Sequence, residues 1–102
     1  MKIAINNCFG GFGLSKAVFD ELGIKWDGYG YLHNEDLGIE SDDCDAFRSD
    51  DRLIAAIEKI GEDKSSGALA SIKIVEIPDG IDWELNEYDG IETVNKKHRS
   101  WS

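Results

Sequence analysis

The sequence predicts an α+β fold, a small mixed or antiparallel sheet of about four strands with two helices packed on one face. Three observations carry this. An apolar run, Ile3-Ala4-Ile5, leads straight into a glycine-rich turn and a helix start. The stretch from Asp50 to Gly61 repeats its apolar residues with a helical period. The C-terminal third carries β-branched runs divided by Pro-Asp-Gly and Asp-Gly turns. With 102 residues there is room for one domain, 1–102, able to bury a modest core without disulfides or metals.

In chain order, the first strand leads through Asn6-Asn7-Cys8 into Phe9-Gly10-Gly11-Phe12-Gly13-Leu14-Ser15. A strand, a glycine turn and a helix start in that order leave several backbone N–H groups facing one small space, which suits an anion or a phosphate. Ser15 is the expected N-cap of a helix of roughly two turns. Leu14 and Phe19 form a hydrophobic staple, Gly23 is the stop, and Val18, Phe19 and Leu22 face the core. Residues 24–47 hold no sustained period and read as loop, with Tyr29-Gly30-Tyr31-Leu32 as a short strand. A second helix starts near Ser49 or Asp50, aligns Leu53, Ile54, Ile57 and Ile60, and ends at Gly61, with Asp50 and Asp51 complementing its dipole. Ala68 to Ile77 reads as a strand dense enough for a buried central position, ended by Pro78-Asp79-Gly80.

From Ile81 to Tyr88 and from Ile91 to about Lys97, two strands close on Asp89-Gly90 as a type I′ hairpin. A helix competes over 91–101, because Ile91, Val94, His98 and Trp101 also fit a 3.6 period. The hairpin register pairs Tyr88 with Ile91, Glu87 with Glu92, Asn86 with Thr93, Leu85 with Val94 and Trp83 with Lys96. Opposed carboxylates destabilise a strand pair. Glu87 and Glu92 should therefore share a proton, a metal or a cation such as Arg48 or Arg99, unless a longer turn separates them.

The net charge of −10 leaves no basic patch to release counterions, which excludes direct binding to a nucleic-acid backbone. The acidity concentrates in Glu35, Asp36, Glu40, Asp42, Asp43, Asp45, Asp50 and Asp51, against the single Arg48. Such a run is a solvated surface loop, a cation site, or a mimic of a phosphate backbone that docks on a basic host protein. No apolar run reaches the roughly 18 residues of a membrane span. Cys8 and Cys44, without a signal-peptide pattern ahead of them, are expected as reduced thiols in a cytoplasm.

Ile5 through Ser15 at the front, and Glu76-Ile77-Pro78-Asp79, Trp83, Glu87-Tyr88-Asp89-Gly90, Glu92, Val94 and His98-Arg99-Ser100-Trp101 at the back, resemble a family of small, largely uncharacterised phage-encoded proteins. Arg48-Ser49-Asp50 with Leu53 and Gly61 fits the family's middle. The resemblance implies a phage origin, a host cytoplasm and, by analogy with small early phage proteins, a counter-defence role.

The matching positions are polar or glycine rather than core types, as a ligand pocket requires if the two ends of the chain meet. Asn6, Cys8, Gly10, Gly11, Phe12 and Ser15 would supply one side, with amides holding a phosphate. Arg48 or Arg99 would pair with it bidentately, Trp83 or Trp101 would stack on a base, and Glu87, Glu92 and His98 would complete the site. The expected ligand is a nucleotide-like small molecule, with no cofactor and no metal, in a monomer or homodimer. Gly11-Phe12-Gly13-Leu14-Ser15-Lys16 departs from G-x-G-x-x-G at its last position, and no Walker A pattern exists. Enzymatic chemistry would need either a Cys8–His98 thiolate pair or Glu87, Glu92 and His98 as an acid–base or metal set. Two histidines without H-x-x-x-H or C-x-x-C spacing lend zinc little support. Two non-enzymatic roles also fit the sequence. The acidic segment would dock on a host protein, or the chain would be a small virion or assembly component whose hairpin edge pairs with a copy of itself.

Overall fold

The computed structural model describes residues 1–8 and 10–96, and it is an α+β fold. Strand β1 (Lys2–Asn6) is followed by α1 (Lys16–Leu22), 3-10 turns at Asn34–Leu37 and Ala46–Ser49, α2 (Asp51–Ile60) and α3 (Glu62–Ser65). Strands β2 (Ile72–Glu76), β3 (Trp83–Tyr88) and β4 (Ile91–Lys96) complete it. The expected four strands are present, but as two separate antiparallel pairs, β1–β2 and β3–β4. The expected two helices are joined by the short α3.

The helices cover the face of β1–β2 that carries Ala4, Ile72 and Ile74, and the core there includes Leu14, Val18, Phe19, Leu53 and Ile57. Each large apolar side chain taken fully out of water contributes about 1.5–3 kcal/mol, so this cluster is the main source of stability. Helix α2 follows its sequence reading closely. The Asp50 carboxylate accepts from Arg52 N at 2.9 Å, Leu53, Ile54 and Ile57 are buried, and Gly61 ends it. Helix α1 also begins after Ser15 and stops at Gly23, whose φ of 71° needs a glycine. The Ser15 hydroxyl makes no cap, however. It donates to Lys64 O at 2.6 Å and ties α1 to α3.

The separation of the two sheets has a visible cause. At the ends of β1, Met1 and Ile77 exchange two bonds of 2.8 Å, and Asn7 N donates to Ser71 O at 2.8 Å. Such bonds recur at every second residue of an antiparallel ladder, so odd residues of β1 face β2 and even residues turn outward. There, Ala4 O accepts from Arg48 Nη1 at 3.2 Å and Asn6 N donates to Glu92 Oε1 at 2.8 Å. The outer edge of β2 is closed likewise, by Ile72 N on Ser66 Oγ at 2.8 Å and Ile74 N on Glu62 Oε2 at 2.7 Å. Side chains occupy the places where a third and fourth strand would pair. This also corrects the expected central position of β2, which is an edge strand of five residues rather than a run from Ala68.

Tyr29–Leu32 is not a strand. The Asp27 carboxylate accepts from Tyr29 N, Gly30 N and Tyr31 N at 2.8, 2.6 and 3.1 Å, which removes these donors from any ladder. Gly30, at φ 92°, also lies so close to the Leu14 backbone that a Cβ would overlap the carbonyl oxygen. In the hairpin, all five residue pairs occur as the sequence requires, and Asp89 and Gly90 at φ 51° and 92° form the type I′ turn. Residues 91–96 are strand and not helix. The remainder of the competing 91–101 helix, with His98, Arg99 and Trp101, lies outside the described residues.

Candidate functional site

Two groupings of the expected site residues emerge, and they share one aromatic ring. The first is an internal clamp. Glu92 faces Glu87 across the hairpin, and the like-charge conflict is resolved by separating their partners. Arg48 grips Glu92 bidentately, Nη1 to Oε1 at 2.7 Å and Nη2 to Oε2 at 2.9 Å, while Glu87 Oε1 turns back to accept from Gly90 N at 2.9 Å. Arg48 and Glu92 are only 6% and 9% exposed, so the pair is deeply desolvated. The guanidinium carbon stands 3.7 Å from the centre of the Phe12 ring, adding a cation–π contact.

Asn6 completes the clamp and is fully buried. Its amide nitrogen donates to Cys8 O and Gly90 O, both at 2.8 Å, and its Oδ1 accepts from Ser71 N at 2.8 Å and from the Cys8 thiol at 3.4 Å. One side chain therefore joins the end of β1, the approach to β2 and the hairpin turn. The front of the chain does meet the C-terminal hairpin, but the hydrogen bonds of Asn6, Arg48 and Glu92 go to each other and to the backbone, and only the Arg48 Nε is left buried without a partner among the described residues.

The second grouping is a cleft of about 250 Å³ where three glycine-bearing loops converge. Gly10, Gly11, Phe12 and Gly13 form one wall, Gly28, Tyr29 and Tyr31 the second, and Gly67–Ala70 the third. Close approach of the loops depends on glycine, since a Cβ on Gly10 would overlap the Leu69 carbonyl. Tyr29 and Tyr31 are 75% and 57% exposed, with ring centres 6.1 Å apart and planes 14° from parallel. Asp27 holds their turn from below, and the N–H groups of Gly30, Tyr29 and Tyr31 keep its carboxyl below the usual carboxylate range. Among the described residues, no lining side chain carries a carboxylate, imidazole, ammonium or guanidinium group. What the cleft offers chemically is backbone polarity, phenol hydroxyls and aromatic faces.

Phe12 belongs to both groupings, lining the cleft and bedding the guanidinium. Cys8 stands between them, its thiol also 3.4 Å from Leu69 O. Trp83 and Glu87 are on β3, and neither lines the cleft. Tyr29, Tyr31 and the 67–70 loop are absent from the expected site. The signal for them was Asp27-Gly28-Tyr29-Gly30-Tyr31, an Asx turn presenting alternate aromatics, which alternation alone disguises as a strand.

The acidic segment is an ordered loop rather than a loose one. Buried Asn34 donates to Asp43 O at 2.8 Å and accepts from Phe47 N at 3.0 Å, which closes it. Glu35, Asp36, Glu40, Asp42 and Asp43 project outward. Asp45, half-buried beside the clamp, has its pKa raised, chiefly by burial and against the pull of Arg48. Among the described residues, no three His, Cys, Asp or Glu side chains are arranged to hold a metal ion, and no helix is long and apolar enough to cross a membrane. Compared with known proteins, the chain matches no family model, no curated protein and no solved structure.

Proposed function

We propose that this chain is a small binding protein that sequesters a nucleotide-like small molecule in the cleft between the 10–13, 28–31 and 67–70 loops. The observation that carries the reading is the pair of exposed, nearly parallel tyrosines at the rim of a glycine-lined cleft. Aromatic faces bind planar bases without demanding one sequence of donors, at about 1–3 kcal/mol per stacked base, and main-chain groups of Gly10–Gly13 supply polar contacts. The resemblance to phage-encoded proteins supplies the context, a host cytoplasm and the capture of a defence signal.

The test is calorimetry and thermal shift with a panel of nucleotides, cyclic nucleotides and nucleosides. A ligand at about 100 times its Kd stabilises the protein by about 2.7 kcal/mol. Tyr31→Ala should weaken binding at least ten-fold while leaving the unfolding temperature of the free protein within a few degrees. The absence of heat and shift across the panel, or binding indifferent to Tyr29→Ala and Tyr31→Ala, overturns the reading.

A second reading, an acidic surface docking on a basic host protein, is favoured by the Asn34 closure, which presents the carboxylates in a fixed array. Neutralising Asp42, Asp43 and Asp45 together would abolish such docking and spare the cleft, and docking would weaken steeply with salt.

A further inference from the structure

Side chains reach outward main-chain groups on both edges of the β1–β2 pair, at Ala4 O, Asn6 N, Ile72 N and Ile74 N, whereas among the described residues none reaches the outward edge of β3. The two-residue turn makes Tyr88–Ile91 a bonded pair, so Glu84, Asn86 and Tyr88 bond β4 while Trp83, Leu85 and Glu87 turn their N–H and C=O groups away. Strand β4, not β3, lies beside β1. Among the described residues, these outward groups of β3 receive no hydrogen bond. On the hairpin face shared with Glu87, Glu92 and Lys96, the apolar residues Trp83, Leu85 and Val94 are half-buried.

We infer that the open edge of β3 pairs with β3 of a second copy of this chain, antiparallel about a two-fold axis at Leu85, to make a four-stranded sheet. The occupant and register follow from the bonding phase and the charges. Outward groups fall on odd residues, so odd must pair with odd and the axis must pass through a residue. An axis at Glu84 or Glu87 sets a carboxylate opposite its own copy, which is destabilising. An axis at Asn86 faces Leu85 with Glu87. The axis at Leu85 sets Leu85 against Leu85, Trp83 against Glu87 and Glu84 against Asn86, free of opposed like charges and with an apolar pair, rather than an amide pair, on the axis itself. The two turns then point apart by about 30 Å at 3.4 Å per residue, which leaves room for bodies whose shorter dimensions are 28 and 21 Å.

Each copy carries a net charge of −10, so pairing should strengthen as salt screens the repulsion. Sedimentation of the full chain across a concentration series, in low and high salt, is expected to show a monomer–dimer equilibrium that shifts to dimer in high salt. Leu85→Pro removes an outward donor without touching the hairpin ladder, and Leu85→Lys puts like charges on the axis. Each should weaken association at least ten-fold with the far-ultraviolet dichroism retained. A monomer at every concentration and salt overturns the inference, as does a dimer that persists in both variants. A monomer that forms a stable complex only with an unrelated extended peptide overturns it too, by giving the edge a different occupant.

Discussion

The two sheets of this molecule have the same strand count and opposite treatments of their edges. In β1–β2, Arg48, Glu92, Glu62 and Ser66 reach the outward main-chain groups and close both sides. In β3–β4, the turn end is clamped by Asn6 and Arg48, and among the described residues no group bonds the outward edge of β3. Polar side chains thus do two things with one set of bonds: they stop the central sheet from growing, and they fasten to it a hairpin that retains an edge of its own.

The largest break in this contrast should come from Arg48→Ala. Glu92 would remain buried without its partner, a loss of about 3–5 kcal/mol, seen as a lower urea midpoint and as early hydrogen exchange in the hairpin. Replacing both partners, Arg48→Met with Glu92→Leu, should cost clearly less than the single change, because no uncompensated charge is left. Asn6→Ala comes next. It strands Gly90 O and the part-buried Ser71 N, and at the lower part of about 1–3 kcal/mol for each unsatisfied group it should lower stability by roughly 2–4 kcal/mol, with β1–β2 and the hairpin losing protection together. Asp50→Ala touches only the helix behind the central sheet and should cost about 1 kcal/mol as a lost cap.

Asp50 also carries a pH signature. Its hydrogen bond with Arg52 holds the carboxyl below the usual carboxylate range when folded. Its stabilisation is therefore fully present above the unfolded value of about 3.9 and is lost as pH falls through the lower folded value. Asp50→Ala should flatten that part of an acid-denaturation curve. A comparably small effect is expected from Leu85→Lys, which takes a half-buried apolar side chain off the hairpin face and should lower monomer stability by about 1 kcal/mol.

The most local features were legible in the sequence. Asp50 and Gly61 delimit α2 by cap chemistry that acts within one turn, and Asp89-Gly90 sets the hairpin register because the turn itself determines which residues face each other. That register in turn made the Glu87–Glu92 conflict readable, and Arg48 was among the cations expected to answer it. Features decided across the fold were harder to read. Nothing local to Glu62 or Ser66 says that they will cap β2, so Ile72, Ile74 and Val75 looked like a central strand when they form an edge. Tyr29-Gly30-Tyr31-Leu32 alternates like a strand, and only the reach of the Asp27 carboxylate makes it a turn and half of a cleft.

The Phe12 ring carries a consequence for both halves of the site. One of its faces supports the guanidinium that fastens the hairpin, and the same side chain floors the cleft. Were the cleft to take a ligand, its occupancy and the attachment of the hairpin would be linked through this ring, and whatever one contributed to the other would be returned in equal measure. A ligand seating the ring more firmly would tighten the hairpin's hold, and a hairpin held by its own copy would offer that ligand a firmer wall.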